Sequence, residues 1–273
     1  MKALIYVNKE KDPNQISLNA LIDVLNNEDV AFKVIDDNDL SGSSGGADVL
    51  FVLGGDGTIL CLTEFAYRND ISIIGFNVGK LGFLTEFELC DMKNAVIAVK
   101  NGQLVEDKRL AISAEFNGTT YYALNDIVIQ RVYIEQISNR IISVGIEIDN
   151  NKVDQYVGEG VLVTTPTGST AYSFSAGGAI LAPGTQAFSL TPIASHSFNN
   201  RPVVFSANCQ CKMTLKNDSK AGVFIDGRFV GLIEKDGCVT ISKAQKSIVF
   251  LRKENYDFYK VLFKKLKDSR FNV

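Results

Sequence analysis

The feature that most constrains the fold is an apolar run, residues 49–53, that leads directly into Gly54-Gly55-Asp56-Gly57. The run predicts a buried strand, and apolar residues at helical spacing follow the glycines, which indicates a strand, a glycine turn and a helix. In open α/β sheets, ligands bind at the carboxyl ends of parallel strands, where the next helix presents free amide groups. The turn therefore predicts an α/β domain with a ligand site that accepts phosphate.

The first hundred residues repeat this alternation of strand and helix. Strand signals occur at residues 3–7, 31–35 and 72–76, and helical spacing occurs at residues 16–25, 58–68 and 92–100. Strands that alternate with helices are typical of a parallel sheet covered on both faces. We expect a doubly wound α/β domain over residues 1–100.

Near Leu104 the pattern changes to strands with alternating polar and apolar residues. Between them stand Asn117-Gly118, Asn150-Asn151 and Asp226-Gly227, which are residue pairs that accept tight hairpin turns. We therefore expect a β-rich, antiparallel domain over residues 101–251.

The carboxyl-terminal segment has apolar residues at helical spacing among lysines. An amphipathic helix must bury its apolar stripe, so we expect this final helix to pack back on the first domain, to which residues 252–273 then belong. Lys264, Lys265 and Lys267 are expected to form a solvated face of that helix.

Charge and composition exclude several classes of function. The 28 Lys and Arg residues against 31 Asp and Glu give a formal net charge of -3, which provides no extensive basic surface for nucleic acid. The five cysteines show none of the CxxC spacings that hold zinc. Because the apolar amino-terminal run is too short for a signal peptide or a membrane span, we expect a cytoplasmic protein with no membrane partner.

Asp56 is the candidate catalytic residue of the glycine turn. Its carboxylate can accept a proton from a hydroxyl that attacks phosphorus, or it can orient a cation. The alternative is structural, with the glycines in a tight turn and Asp56 as the cap of the following helix. The turn lacks the Gly-Lys-Ser/Thr ending of a P-loop, so a site of that class is not supported.

A second strand-like run, residues 161–165, opens into Pro166-Thr167-Gly168-Ser169-Thr170-Ala171-Tyr172-Ser173. Hydroxyls and backbone amides where a helix begins can bind a pyrophosphate or a ribose, and Tyr172 can pack on a base. The simpler interpretation is that Thr and Ser only cap a helix. Two turns of this kind in one chain favour a nucleotide site.

These motifs, taken in order along most of the chain, resemble those of the NAD kinase family. A GGDG turn alone also occurs in lipid kinases and phosphofructokinases, so the resemblance rests on the ordered set. The set comprises Gly54-Gly55-Asp56-Gly57-Thr58, the glycine segment of residues 75–84, the pair Asn125-Asp126 and the hydroxyl-rich segment of residues 165–173.

The resemblance implies transfer of the terminal phosphoryl group of ATP to the 2′-hydroxyl of the adenosine ribose of NAD, giving NADP. It implies a divalent cation, usually magnesium, although no side chain is assigned as a metal ligand. Asp56 would be the general base, and Gly57 would form part of the surface that the phosphate approaches. The residues implied to bind the acceptor nucleotide are Asn125, Asp126, Thr167, Thr170, Ala171, Tyr172 and Ser173.

Two further nucleotide-binding candidates lie where the resemblance is looser. Family members commonly have Asp where this chain has Glu159, so the carboxylate is kept but reaches one methylene further. Arg140 lies about where some relatives place a basic residue that contacts phosphate.

Two other functions stay open on this evidence. A lipid or sugar kinase would share the GGDG turn, but a lipid kinase should present an apolar entrance for acyl chains, whereas residues 170–173 and Asn125-Asp126 offer a polar nucleotide surface. A non-catalytic NAD(P)-binding sensor would keep the pocket without using Asp56 as a base. The family also suggests a homodimer or a homotetramer, with NAD and ATP as the small-molecule partners.

Overall fold

The computed structural model describes residues 1–79, 82–133, 141–196 and 200–268. By its internal contacts the chain divides into two compact units, one formed by Met1–Lys108 with Ile248–Val273 and the other by Arg109–Ser247. Within the described ranges, no helix is both long enough and apolar enough to cross a membrane.

The first unit is an α/β fold around a sheet whose described residues form seven strands. The strands are β1 (Lys2–Val7), β2 (Ala31–Ile35), β3 (Val49–Gly54), β4 (Ser72–Asn77), β5 (Phe87–Glu88), β6 (Val105–Arg109) and β19 (Ile248–Arg252). Their order is β2-β1-β3-β4-β19-β6, with β5 paired to β4. The helices are α1 (Ile16–Asn27), α2 (Asp56–Asn69), α3 (Met92–Lys100) and α5 (Phe258–Asp268), with short 3₁₀ turns at Asp37–Ser41 and Leu89–Asp91.

This architecture confirms the predicted α/β fold and the return of the final helix. The pairs β1/β2, β1/β3, β3/β4, β4/β5 and β4/β19 are all parallel. The sheet also takes up β6 and β19, which the sequence pattern placed in the β-rich half. Buried apolar residues such as Phe51, Phe76 and Leu21 join the sheet to its helices in one core.

The strand order places a topological switch point between β1 and β3. From β1 the chain runs to β2 on one side, and it then returns to β3 on the other side of β1. The carboxyl ends of two such strands leave a crevice in which α/β proteins bind ligands. Strand β3 ends there at Gly54, the first residue of the glycine turn.

The second unit is built from antiparallel sheets, again as predicted. Its described strands form two six-stranded sheets, ordered β11-β10-β15-β18-β7-β8 and β14-β13-β12-β9-β16-β17. One hydrophobic cluster takes side chains from both sheets, which bury it between them. The strands are β7 (Ile112–Phe116), β8 (Thr119–Ala123), β9 (Asp126–Arg131), β10 (Ile142–Ile148), β11 (Asn151–Gly158), β12 (Gly160–Thr164), β13 (Ala187–Ile193), β14 (Val203–Ser206), β15 (Cys211–Leu215), β16 (Ala221–Ile225), β17 (Arg228–Ile233) and β18 (Cys238–Lys243). A 3₁₀ turn (Gly168–Thr170) leads into the short helix α4 (Tyr172–Ser175).

Hairpin turns connect several of these strands through residues with positive φ. Asn117-Gly118 and Asp226-Gly227 form the predicted turns, with φ of 49° and 74° in the first and 47° and 78° in the second. The third turn is displaced by one residue from its predicted position, because Asp149 and Asn150 carry the positive φ while Asn151 already belongs to β11. Asp and Asn both tolerate this conformation, so the sequence could not distinguish the two registers.

Candidate functional site

The glycine turn of the first unit lies at the switch point between β1 and β3. Gly55 is the N-cap residue of α2, and the helix begins at Asp56. Asn8, which follows β1, donates from Nδ2 to Oγ1 of Thr58 at 3.0 Å. This bond joins the end of β1 to the first turn of α2, so the two strand ends and the helix N-terminus lie side by side.

The Asp56 carboxylate does not cap α2, so the structural alternative drawn from the sequence is wrong. Its oxygens instead accept the backbone N–H groups of three consecutive residues, the last two of the glycine segment of residues 75–84 and the residue that follows it. Oδ2 accepts from Phe83 at 2.7 Å, and Oδ1 accepts from Leu84 at 2.9 Å and from Thr85 at 3.4 Å. The carboxylate is therefore fixed in orientation at the carboxyl edge of the sheet.

Two glycines define the space around Asp56. A Cβ atom on Gly82 would lie 1.8 Å from Asp56 Oδ1, so the carboxylate reaches its amide donors only because residue 82 has no side chain. A Cβ on Gly57 would meet nothing within 4 Å. Packing against the described residues therefore does not explain the glycine at position 57, and within that part of the chain the space beside it admits a ligand. Lys80 and Leu81, in the middle of the glycine segment, lie outside the described residues.

The carboxyl-terminal segment also reaches this turn within the first unit. Nζ of Lys265 in α5 lies 3.4 Å from Asp56 Oδ2. The prediction that this lysine belongs to a solvated face is wrong, because the helix packs the Lys265 side against the glycine segment. Arg252 donates to the carbonyl of Phe83 at 3.4 Å, and Tyr256 donates to the same carbonyl at 3.5 Å.

A polar cavity of about 320 Å³ adjoins the ends of β1 and β2. Its lining includes Asn8 and Lys9 on one side and the carboxylates of Asp36 and Asp37 on the other. Tyr6 donates to Asp37 at 2.5 Å, and burial together with this bond raises the pKa of its phenol. The carboxylates of Asp36 and Asp37, together with Glu10 in the lining, disfavour a phosphate inside this cavity, whereas hydroxyl groups could bind there.

In the second unit, hydrogen bonds from threonine hydroxyls and one backbone amide join the hydroxyl-rich turn to the residues just before β9. The Thr164 hydroxyl donates to the carbonyl of Asn125 at 2.9 Å, and the Thr165 amide donates to the same carbonyl at 2.8 Å. The Thr165 hydroxyl donates to the carbonyl of Leu124 and accepts from the Gly168 amide. The pair Asn125-Asp126 and the beginning of the hydroxyl-rich segment therefore belong to one structural element, although about forty residues separate them.

The candidate hydroxyls of this turn differ in their accessibility. Thr167 is buried and its Oγ1 accepts from Arg109 at 3.4 Å, while Thr170, which is partly exposed, donates to the Thr167 carbonyl at 3.3 Å. Ser173 is fully buried and its hydroxyl lies 3.2 Å from that of Thr191. Among these residues, Thr170 has the hydroxyl most open to a ligand.

Tyr172 and Ala171 lie at the accessible end of the turn. Both side chains are partly exposed, and the Tyr172 hydroxyl donates to Oε1 of Gln130 in β9 at 3.2 Å. Burial raises the pKa of this phenol, so it stays protonated near neutral pH and can act as a donor. Gln130 was not recognised from the sequence, because a Gln within a strand gives no local signal of such a contact.

Asn125 and Asp126 stand at the start of β9 against the tip of the β16–β17 hairpin. Asp226, in that tip, accepts the backbone N–H groups of Leu124, Asn125 and Asp126 at 2.8, 2.7 and 3.1 Å. Asp126 is only 5% exposed, and burial, reinforced by the charge of Asp226, raises its pKa to about 7. Asp126 can therefore be protonated near neutral pH, when it can both donate and accept a hydrogen bond.

Glu159 forms an ion pair and a hydrogen bond with side chains of the same unit. Its carboxylate accepts from Arg131 Nη1 at 2.8 Å and from the Tyr133 hydroxyl at 3.0 Å. The Arg131 guanidinium also lies over the Tyr133 ring, 4.6 Å from its centroid. The longer side chain of Glu159 thus contacts a partly buried arginine. The other looser candidate, Arg140, lies outside the described residues.

Comparison with protein families identifies relatives over almost the whole chain. The model for the ATP-NAD kinase N-terminal domain matches residues 12–104, and that for the ATP-NAD kinase C-terminal domain matches residues 124–253. An NAD kinase of Clostridium perfringens is 36% identical, and the alignment covers 96% of this chain and 97% of that protein. An NAD kinase of Fusobacterium nucleatum is 33% identical, with 86% of each chain covered.

Solved structures show the same architecture. The NAD kinase of Archaeoglobus fulgidus, in complex with ATP, superimposes with a TM-score of 0.79 at 26% identity, and the match covers 98% of this chain and 99% of that one. Yeast NADH kinase, in complex with NADH, gives a TM-score of 0.84 at 21% identity over 100% of this chain and 88% of that one. At that identity the second likeness establishes the fold alone.

Proposed function

The chain belongs to the ATP-NAD kinase family, and on that premise we propose that it transfers the terminal phosphoryl group of ATP to the 2′-hydroxyl of the adenosine ribose of NAD. The observation that best supports this proposal is Asp56, whose carboxylate is held by three backbone amides at the switch point of the sheet. A fixed carboxylate at that position suits a general base, because the orientation is set before the substrate arrives.

In the proposed reaction Asp56 accepts the proton of the 2′-hydroxyl. The ribose oxygen forms a bond to the terminal phosphorus of ATP, the bond from that phosphorus to the bridging oxygen breaks, and ADP leaves. Phosphoryl transfer depends mainly on positioning and charge neutralisation, so one base and a set of oriented donors are sufficient protein chemistry.

We propose that the phosphates of the donor approach the glycine turn at the N-terminus of α2. The helix has 14 residues, so its first amides carry the partial positive charge of a full helix dipole. The empty space beside Gly57 would let a phosphate come close to the backbone.

For the acceptor nucleotide we propose the element of the second unit that joins residues 124–126 to the hydroxyl-rich turn. Asn125 offers an amide, Asp126 titrates near pH 7, and Thr170 has a partly exposed hydroxyl. The partly exposed ring of Tyr172 offers a surface for a base or ribose. These polar groups favour a nucleotide over the acyl chain of a lipid kinase substrate.

We propose that magnesium enters as the MgATP complex. The described residues contain no cluster of three or more His, Cys, Asp or Glu side chains that could hold a metal ion. Magnesium commonly binds through substrate phosphates with few protein ligands. We further propose a cytoplasmic enzyme that forms a homodimer or a homotetramer, as the family suggests.

The test is a coupled assay for NADP formation from NAD and MgATP, with Asp56→Asn beside the wild type. We expect NADP from the wild type alone, while the variant binds NAD within roughly tenfold of the wild-type affinity, because the base acts mainly in the transition state. Equal turnover by the variant would remove Asp56 as the base. No NADP with any phosphoryl donor would favour a lipid or sugar kinase, or a non-catalytic sensor.

A further inference from the structure

The carboxyl-terminal helix directs one of its lysines at the proposed base. Lys265 Nζ lies 3.4 Å from Asp56 Oδ2, and the two side chains are only 28% and 29% exposed. The neighbouring Lys264 and Lys267 are exposed. Helix α5 therefore places a single ammonium group of this lysine-rich segment beside the Asp56 carboxylate.

The aromatic ring of Phe83 packs against the ammonium group of Lys265. Its ammonium group lies 4.2 Å from the centroid of the Phe83 ring, and Phe258 at the beginning of α5 packs on the same ring with centroids 6.3 Å apart. The backbone N–H of Phe83 donates to the Asp56 oxygen that Lys265 contacts. One residue thus orients both the carboxylate and its cation.

The ion pair between Lys265 and Asp56 reduces an electrostatic repulsion that arises in phosphoryl transfer to a hydroxyl. A carboxylate that serves as the base repels the anionic triphosphate that must approach the same hydroxyl. A cation beside the carboxylate reduces that repulsion. At 3.4 Å the ammonium contact is longer than a charge-assisted hydrogen bond, so it balances charge while a hydroxyl can still make a shorter bond to Asp56.

We propose that Lys265 is a positioning residue of the phosphoryl-transfer site, whose ammonium group balances the charge of Asp56 as the triphosphate approaches. The inference rests on the proposed function, because it takes Asp56 as the base. Among the charged side chains of the described residues, Lys265 is the one in ion-pair contact with Asp56.

The experiment compares three variants in the full-length protein. Lys265→Met removes the charge but keeps an apolar chain over Phe83, Lys265→Arg restores the charge, and Lys264→Met is the matched control on the exposed side of the helix. The probe is the magnesium complex of a non-hydrolysable ATP analogue with an imido bridge, titrated by calorimetry. We expect Lys265→Met to weaken its binding roughly tenfold through uncompensated repulsion, with near wild-type binding for the other two variants. Thermal melting verifies that each variant is folded.

A second background separates charge balance from other roles of the lysine. In Asp56→Asn the side chain is neutral and the repulsion is absent, so the double variant with Asp56→Asn and Lys265→Met should bind the analogue within about twofold of the wild type. A double variant that binds the analogue as weakly as Lys265→Met alone would overturn the inference, since it would indicate a direct lysine–phosphate contact or a packing defect. No loss in the wild-type background, or no binding of the analogue by the wild type, would also overturn it. Absence of NADP formation by the wild type contradicts the proposed function, whereas the binding cycle reports on Lys265.

Discussion

Replacing Gly82 by alanine should displace the Asp56 carboxylate and so impair its function, although Asp56 itself is not mutated. The backbone of Gly82 is not in the positive-φ region, so alanine can adopt its conformation. The added Cβ would lie 1.8 Å from Asp56 Oδ1, and Cβ atoms in real structures essentially never come closer than 3.0 Å to such an atom. The carboxylate must therefore move by at least about 1.2 Å, or the glycine segment must move away from it.

Either movement breaks the amide contacts that orient the base. A misplacement of about 1 Å can cost on the order of 100-fold in rate, or about 2.7 kcal/mol of transition-state stabilisation. We therefore expect kcat/KM for NADP formation to fall about 100-fold in Gly82→Ala. NAD binding should stay within about threefold of wild type, because the perturbation is confined to the Asp56 site of the first unit.

The assay is steady-state NADP formation, with NAD binding measured separately by calorimetry. Gly184→Ala is the control, since a Cβ there meets nothing within 4 Å and its φ is not positive. Activity of Gly82→Ala within threefold of the control would refute the reasoning, because it would mean that the orientation of Asp56 is not needed for turnover.

Three further predictions follow from single side chains. Gly57→Ala should leave the melting temperature unchanged or raise it, because the added Cβ meets open space and alanine favours a helix. It should nevertheless lower kcat/KM for MgATP about tenfold, because we propose that a phosphate approaches the backbone there. Unchanged kinetics would contradict this. The pKa of Asp126 is raised from 3.8 to about 7 in the folded state, so the folded state binds an extra proton and the stability of the wild type falls as pH rises from about 4 to 7. Asp126→Asn should not lose this stability, and in urea titrations it should gain about 1 kcal/mol or more relative to the wild type over that pH range. Equal pH dependence of the free energy of unfolding in both proteins would contradict this. Asp226→Asn should lower the free energy of unfolding by about 2 kcal/mol, because three backbone amides lose a charged acceptor. The control Asp236→Asn, at another turn residue with positive φ, should lower it by less than about 0.5 kcal/mol. Equal urea midpoints for the two variants would contradict this.

Local sequence determined much of the fold. Helix α3 spans the predicted residues, and the predicted strands at residues 31–35 and 49–53 match β2 and β3 within one residue. The Asn117-Gly118 and Asp226-Gly227 hairpins also occur where predicted. Hydrophobic periodicity and turn conformation, which involve residues close together in the chain, determine these features. They can therefore be predicted without knowledge of the tertiary structure.

Only the tertiary structure decided what the polar groups contact. Asp56 accepts amides that lie 27 to 29 positions away and contacts a lysine 209 positions away, while Asp226 accepts amides about 100 positions away. In the sequence, Asp226 looks like any hairpin Asp and Lys265 like any lysine of an amphipathic helix. Their partners depend on how the sheets and the final helix pack, because a hydrogen bond or an ion pair requires proximity in space and leaves no periodic signal along the chain.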